Sequence, residues 1–133
     1  MEKTYQGSCH CGAVTFEARV DLAAGTSKCN CAICARARFW KTIVPADKFK
    51  LLTGADQLAD YQFGRRIIHH RFCRLCGVKP FGHGDFEPIG AFYAINLGCL
   101  TNASDAELAA APVKFEDGRH DRWEIAPAVT AHL

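Results

Sequence analysis

The arrangement of the eight cysteines constrains this 133-residue chain more than any other feature of its sequence. Seven of them fall into the motifs C-x-C, C-x-C-x-x-C and C-x-x-C, and Cys99 stands apart. A structural disulfide needs a particular separation and direction of its two Cβ atoms, which such close spacing does not easily give. Cysteines at these spacings are typical of metal ligands. We therefore predict metal binding rather than a disulfide framework.

Composition supports the same reading and excludes other classes of protein. Hydrophobic residues make up 49% of the chain, enough for a core without disulfide staples, and the length suits one domain over residues 1–133. The net charge of +2 comes from scattered basic residues, which argues against a nucleic-acid binder. The start lacks an apolar signal-peptide region, and no apolar run approaches a membrane span. We expect a cytoplasmic protein with reduced thiols.

The hydrophobic pattern predicts a mostly antiparallel β fold. Val14–Val20 alternates apolar and polar residues, as a half-buried strand does. Further strands are predicted at 39–44, 49–53, 59–63, 66–72 and 92–97, with a last short one at 123–125. The one clear helix signal is a capping box at Ser104–Glu107, before an alanine-rich run that stops at Pro112.

Two of the cysteine motifs resemble each other. Cys9 and Cys11 precede Gly12, and Cys73 and Cys76 precede Gly77. Glycine tolerates the positive φ of a tight loop that points two thiolates at one ion, and backbone amides in such loops can donate to the sulfurs. Four thiolates form the closed tetrahedral set of a structural zinc. We predict this site, the four-cysteine set, as a staple between the N-terminal strand and the middle of the sheet.

The third motif differs, because Cys29, Cys31 and Cys34 lie within six residues and no glycine follows. Three protein ligands leave one position of a tetrahedral zinc open, as in catalytic sites, and a substrate thiol can take it. The alternative is a second closed site with a fourth ligand from Cys99, His10, His69, His70 or His83. Cys99 also has a simpler interpretation as a buried core thiol. We call these three residues the three-cysteine set.

The combined pattern resembles the glutathione-dependent formaldehyde-activating enzyme family, which includes the centromere-protein-V-like domains. The resemblance rests on Ser8–Val14, Cys29–Cys34 and Phe72–Gly77, in the family's order. It implies a β-tent fold of stacked antiparallel sheets around a structural zinc held by Cys9, Cys11, Cys73 and Cys76. It also implies a catalytic zinc at Cys29, Cys31 and Cys34, and hence two zinc ions. We expect the second ion to be labile, because three ligands bind it more weakly than four and exposed thiolates are oxidisable. The family's founding activity joins glutathione to formaldehyde as a carbon–sulfur lyase.

Residues that contact the substrate are less clearly marked. Arg36, Arg38 and Lys41 follow the three-cysteine set and suit the carboxylates of glutathione, although such charges are more often only solvated. Trp40 is predicted in the core rather than as a substrate platform. The adjacent His69 and His70 lie in a predicted strand, one facing inward. His83, between two glycines in a predicted loop, is the best candidate for a mobile acid or base.

Two functions fit these features. In the first, glutathione or a related thiol binds at the three-cysteine set as a thiolate and adds to formaldehyde or another small aldehyde, giving S-hydroxymethylglutathione or its analogue. In the second, the protein is a non-catalytic carrier of glutathione or zinc. A scaffold role ranks third, because the chain lacks basic or disordered extensions.

Overall fold

The computed structural model describes all 133 residues and is built mainly from short strands. The ten strands are β1 (Lys3–Ser8), β2 (Thr15–Val20), β3 (Thr26–Cys29), β4 (Trp40–Pro45), β5 (Phe49–Thr53), β6 (Leu58–Tyr61), β7 (His69–Cys73), β8 (Phe81–Phe86), β9 (Gly90–Asn96) and β10 (Val113–Glu116). The two α-helices are α1 (Ala32–Ala37) and α2 (Asp105–Ala110). Short 3₁₀ turns occupy Leu22–Ala24, Ala46–Lys48, Ala55–Gln57, Leu97–Cys99 and Gly118–His120.

The strands form two sheets. The smaller has the order β1-β2-β5, and the larger has the order β10-β3-β4-β9-β8-β7-β6. All pairings are antiparallel except that of β10 with β3, which is parallel. The predicted β-tent architecture of stacked, mostly antiparallel sheets with a short helix near the C-terminus is confirmed.

The core lies between the two sheets and is largely aromatic. Phe16 and Phe49 of the smaller sheet meet Phe81 and Tyr93 of the larger one, and Phe49 stacks on Tyr93 with ring centroids 3.9 Å apart. Phe16, Phe81 and Ile95 are almost completely buried. Interdigitated aromatic rings bury large apolar areas. This contact therefore helps to hold the two sheets face to face.

Most predicted elements are present, with several corrections. The capping box is confirmed, since Ser104 accepts from the Glu107 amide and Glu107 accepts from the Ser104 amide. The strand predicted at 66–72 begins only at His69, because Arg66 lies in a turn with φ of 56°. The strand predicted at 123–125 is wrong: this segment makes turns after the 3₁₀ turn Gly118–His120, joined by a single bridge between Asp117 and Arg122.

The helices of this chain are short. None has both the length and the apolar character that a membrane-crossing helix requires.

Candidate functional site

The four-cysteine set is built from two similar loops. In the first, the Cys9 amide donates to the Val14 carbonyl over 3.0 Å; in the second, the Cys73 amide donates to the Val78 carbonyl over the same distance. Gly12 and Gly77 have φ of 85° and 80°, a conformation that side chains disfavour. Both glycines therefore close their loops as the sequence predicts. The first loop follows β1 of the smaller sheet, and the second follows β7 of the larger sheet.

The four sulfur atoms have the dimensions of a metal site. They all lie within 4.8 Å of one another, and the Cys11 sulfur is 3.7 Å from those of Cys9 and Cys73. Sulfurs bound tetrahedrally at zinc's usual bond length lie roughly 3.8 Å apart. The set can therefore hold a metal ion, and its dimensions are compatible with zinc.

Backbone amides turn toward these sulfurs. The Val14 amide donates to the Cys9 sulfur over 3.3 Å. The amides of Val78 and Cys11 lower the pKa of Cys76 to about 6 by donating to its sulfur. Donors of this kind favour the thiolate, which is the form that binds metal. The local backbone thus prepares the loops for a cation before any ion enters.

The three-cysteine set lies where β3 ends and α1 begins. Cys29 is the last residue of β3, Cys31 is the N-cap of α1, and Cys34 lies inside that helix. Sequence reasoning did not predict α1. The Cys31 amide donates to the Cys29 sulfur over 3.3 Å. The short helix therefore brings the second and third cysteines back beside the first.

Hydrogen bonds between the three thiols shift their pKa values in different directions. Those from Cys29 and then Cys34 lower the pKa of Cys31 strongly. The hydrogen bond with Cys31 raises the pKa of Cys29, and those with Cys29 and then Cys31 raise the pKa of Cys34. Unlike the four-cysteine set, these residues do not form a group of ligand atoms that all lie within 4.8 Å of one another. The structure thus places three thiols of one segment close enough to interact, in a looser arrangement than the four-cysteine set.

A segment near the C-terminus, residues 117–125, covers one side of this set; we call it the C-terminal strap. A Cβ atom added to Gly118 would lie 2.5 Å from the Cys29 sulfur and 2.7 Å from the Trp123 ring. Only glycine permits so close an approach of backbone to sulfur. Cys29 is consequently buried, while Cys31 and Cys34 remain partly exposed.

Asn30 fastens the strap to the cysteine loop. Its amide donates to the Asp117 carboxylate over 2.8 Å and accepts from the Arg119 backbone over 3.0 Å. Both Asn30 and Asp117 are buried. The Asn30 hydrogen bond, followed by that of His120, lowers the pKa of Asp117. Sequence reasoning missed Asn30, although a polar residue between two closely spaced cysteines is a usable signal.

Lys79 lies close enough to the three-cysteine set to interact with the charges of Cys34 and Cys31. Its amine donates to His70 Nδ1 over 2.8 Å and lies 4.1 Å from the centre of the Phe39 ring, directly after α1. Burial lowers the pKa of Lys79, whereas the charges of Cys34 and Cys31 oppose that shift. Burial and then the Lys79 charge lower the pKa of His70 to about 4, so the imidazole is neutral near pH 7. The sequence analysis did not select Lys79.

The cations chosen from the sequence already have partners within the chain. Lys41 is buried, 2.7 Å from Glu116 and 2.8 Å from Ser27. Arg36 and Arg38 are exposed and donate to backbone carbonyls, of Ala32 and His132 respectively. Trp40 packs against the core as predicted, and its ring nitrogen donates to Thr26.

The histidine candidates have other roles. His83 does not lie in a loop: it belongs to β8, is paired with His69, and stacks on that ring at 4.6 Å. Its flanking glycines lie close to the neighbouring chain: a Cβ at Gly82 would lie 3.1 Å from the His69 carbonyl oxygen, and one at Gly84 would lie 3.2 Å from the Ile67 carbonyl oxygen. The prediction of a loop there is wrong. His69 is bound to Asp60, His70 is the inward-facing one of the pair as expected, and His10 is exposed.

Cys99 belongs to the core. It is buried, and its pKa is raised to about 11 by burial and then by Cys9 and Cys76. Its thiol thus neighbours the four-cysteine set rather than the three-cysteine set. The interpretation as a core thiol is confirmed, and Cys99 supplies no fourth ligand to the second set.

Comparisons with known proteins agree with this arrangement. The sequence profile described as "Glutathione-dependent formaldehyde-activating enzyme" matches residues 4–115, a span that contains both cysteine sets. A crystal structure of a Rhodobacter sphaeroides protein superposes with a TM-score of 0.69 at 29% sequence identity. The alignment covers 82% of this chain and 99% of that one.

Proposed function

This chain belongs to the glutathione-dependent formaldehyde-activating enzyme family, and we propose that it is a zinc-dependent carbon–sulfur lyase acting on a thiol and an aldehyde. The thiol is glutathione or a close relative, and the aldehyde is formaldehyde or another small aldehyde. The observation that supports the proposal is the three-cysteine set, whose thiols interact through hydrogen bonds at the start of α1; a zinc ion held by these three residues alone would have an unused position. A site with an unused position accepts an exogenous ligand, whereas a closed site does not.

We assign two zinc ions, one to each cysteine set. Cys9, Cys11, Cys73 and Cys76 would hold the structural ion, and Cys29, Cys31 and Cys34 would hold the catalytic and more labile one. Zinc in the second position would supply the positive charge that keeps a bound thiol ionised at neutral pH. All eight cysteines are free thiols, which supports zinc binding and a cytoplasmic location.

The chain's own residues define the approach to the site. The strap closes the Cys29 side, because Gly118 packs on that sulfur. Substrates therefore enter from the side of Cys31 and Cys34, which are partly exposed. The substrate sulfur forms a bond to the carbonyl carbon, and the carbonyl π pair moves to oxygen. The resulting alkoxide takes up the proton that the thiol released, so the sum is thiol plus aldehyde to hemithioacetal.

A formaldehyde-consumption assay with glutathione tests the proposal. Because the uncatalysed addition is appreciable, rates are measured above a no-enzyme background. We expect Cys31→Ser to abolish the enzymatic part while Cys99→Ser, a matched change of a core thiol, retains it. A folded Cys31→Ser protein with the wild-type rate would refute the mechanism. Calorimetric binding of glutathione by the wild type without any rate enhancement would instead favour the non-catalytic carrier.

A further inference from the structure

The cations around the three-cysteine set differ in what neutralises them. Lys41 is paired with Glu116 at 2.7 Å. The Lys79 amine contacts only neutral groups, His70 Nδ1 at 2.8 Å and the face of Phe39 at 4.1 Å. The acidic groups whose charge reaches it are the Cys34 and Cys31 thiols, where we place the substrate sulfur. A partly buried ammonium without a carboxylate partner is costly unless an anion joins it.

Lys79 lies over one face of the larger sheet, along a row of cross-strand neighbours; we call the small residues in the middle of this row the floor. Residues paired across antiparallel strands share a face. Ile43 pairs with Ala94, Ala94 with Gly82, Gly82 with His70, and His70 with Tyr61. The middle of this row is therefore made of small residues. A Cβ added at Gly82 would lie 3.8 Å from the Lys79 amine, so the lysine lies across the floor rather than extending into solvent.

Beyond His70 the same face continues as an aromatic shelf formed by Tyr61 and Phe63. The Phe63 ring stacks on those of His70 and Tyr61, with centroids 5.5 Å and 5.8 Å apart respectively. Phe63 is 49% exposed and Tyr61 is 51% exposed. His70 accepts at Nδ1 from Lys79, so its proton is on Nε2. The contacts run from Cys34 through Phe39, Lys79 and His70 to the shelf. This path suits an extended thiol better than a one-carbon aldehyde.

We propose that Lys79, positioned by His70, is the residue that binds a carboxylate of the thiol substrate. The inference rests on the proposed function for the location of the sulfur. A carboxylate is anionic at neutral pH and so matches an ammonium that has no carboxylate partner in the free protein, and glutathione carries two carboxylates. Its sulfur lies at the three-cysteine set, a carboxylate at Lys79, and the rest of the peptide along the shelf.

Binding of S-methylglutathione tests the proposal without requiring turnover, because the methylated sulfur cannot react. Calorimetry compares wild type, Lys79→Met and Lys79→Arg, with Lys50→Met as a matched loss of charge at an exposed position on β5. We expect Lys79→Met to weaken binding at least about tenfold, since hydrogen bonds to charged groups contribute that much. Lys79→Arg retains most of the affinity, and Lys50→Met binds as the wild type does.

The dimethyl ester of S-methylglutathione separates charge from packing. For the ester we expect wild type and Lys79→Met to bind equally weakly. The proposal is overturned if Lys79→Met binds the acid as tightly as wild type, if acid and ester lose affinity equally, or if wild type does not bind the acid. Lys79-dependent binding with no aldehyde consumption would uphold this inference while removing the proposed enzymatic function, so the two failures are distinguishable.

Discussion

The contact between Asn30 and the C-terminal strap gives the most direct prediction about how the three-cysteine set is built. Asn30→Ala removes two side-chain hydrogen bonds, to Asp117 at 2.8 Å and from Arg119 at 3.0 Å. At about 1 kcal/mol for each such bond, we expect a loss of about 2 kcal/mol of unfolding free energy. With the usual unfolding entropy per residue for a chain of this length, the melting temperature should fall by about 7 °C.

The assay pairs thermal melting with hydrogen exchange resolved along the chain. Asn96→Ala is the matched control, because its amide also makes two hydrogen bonds, to the Lys79 carbonyl and from the Gly98 amide. Both variants should lose similar stability, but only Asn30→Ala should increase exchange in residues 117–125 under native conditions. A loss below about 0.5 kcal/mol with unchanged protection of the strap would refute this reasoning.

Three further outcomes follow from the same structure. Cys76→Ser should prevent stable folding, because structural zinc binding contributes folding free energy. Cys34→Ser should still unfold cooperatively on heating. If Cys34→Ser fails to fold and Cys76→Ser melts cooperatively, the assignment of the two cysteine sets is contradicted. In the folded protein the pKa of His70 is lowered to about 4. Between pH 6.5 and 4 the unfolded chain therefore binds a proton at His70 that the folded chain does not. The free energy of unfolding should fall over this range as the pH drops, by at most about 3 kcal/mol. His70→Gln should flatten that part of the pH–stability profile, and an unaltered profile would exclude His70 as its cause. Ser104→Ala should cost about 1 kcal/mol through the capping box with Glu107, checked by urea unfolding, and no measurable loss would contradict a stabilising cap.

The sequence predicted those features that depend on residues close together in the chain. The Gly12 and Gly77 loops form as expected, since a tight ligand loop needs positive φ just there. The Ser104 cap was readable for the same reason: its partner lies three residues away. Strands such as β5 were found because apolar runs ended at turn residues.

The predictions failed where distant parts of the chain decide the outcome. The glycines on either side of His83 predict a loop, but the residue lies in β8 and is paired with His69 of β7. α1 was missed because it is only six residues long and contains no fully buried residue. No local pattern indicates that β10 pairs parallel to β3, or that Gly118 then lies against Cys29.

The same distinction applies to the residues of the candidate site. Its cysteines could be identified from their spacing, but the groups around them could not. Lys41 is neutralised by Glu116, 75 residues further along the chain, and this contact is invisible in sequence. Lys79 follows the Cys73–Gly77 loop closely, yet its amine lies over the ring of Phe39, which is distant in sequence, and no local pattern predicts this contact.

The zinc content of freshly purified protein tests the central claim most directly. It is measured by elemental analysis per chain for wild type, Cys31→Ser and Cys99→Ser, each checked for folding. We expect two zinc ions per wild-type chain, two in Cys99→Ser, and one in Cys31→Ser, because only the three-cysteine set loses a ligand. A wild-type content that does not change on Cys31→Ser, with or without added zinc, would contradict the account of an open zinc site beside a closed one.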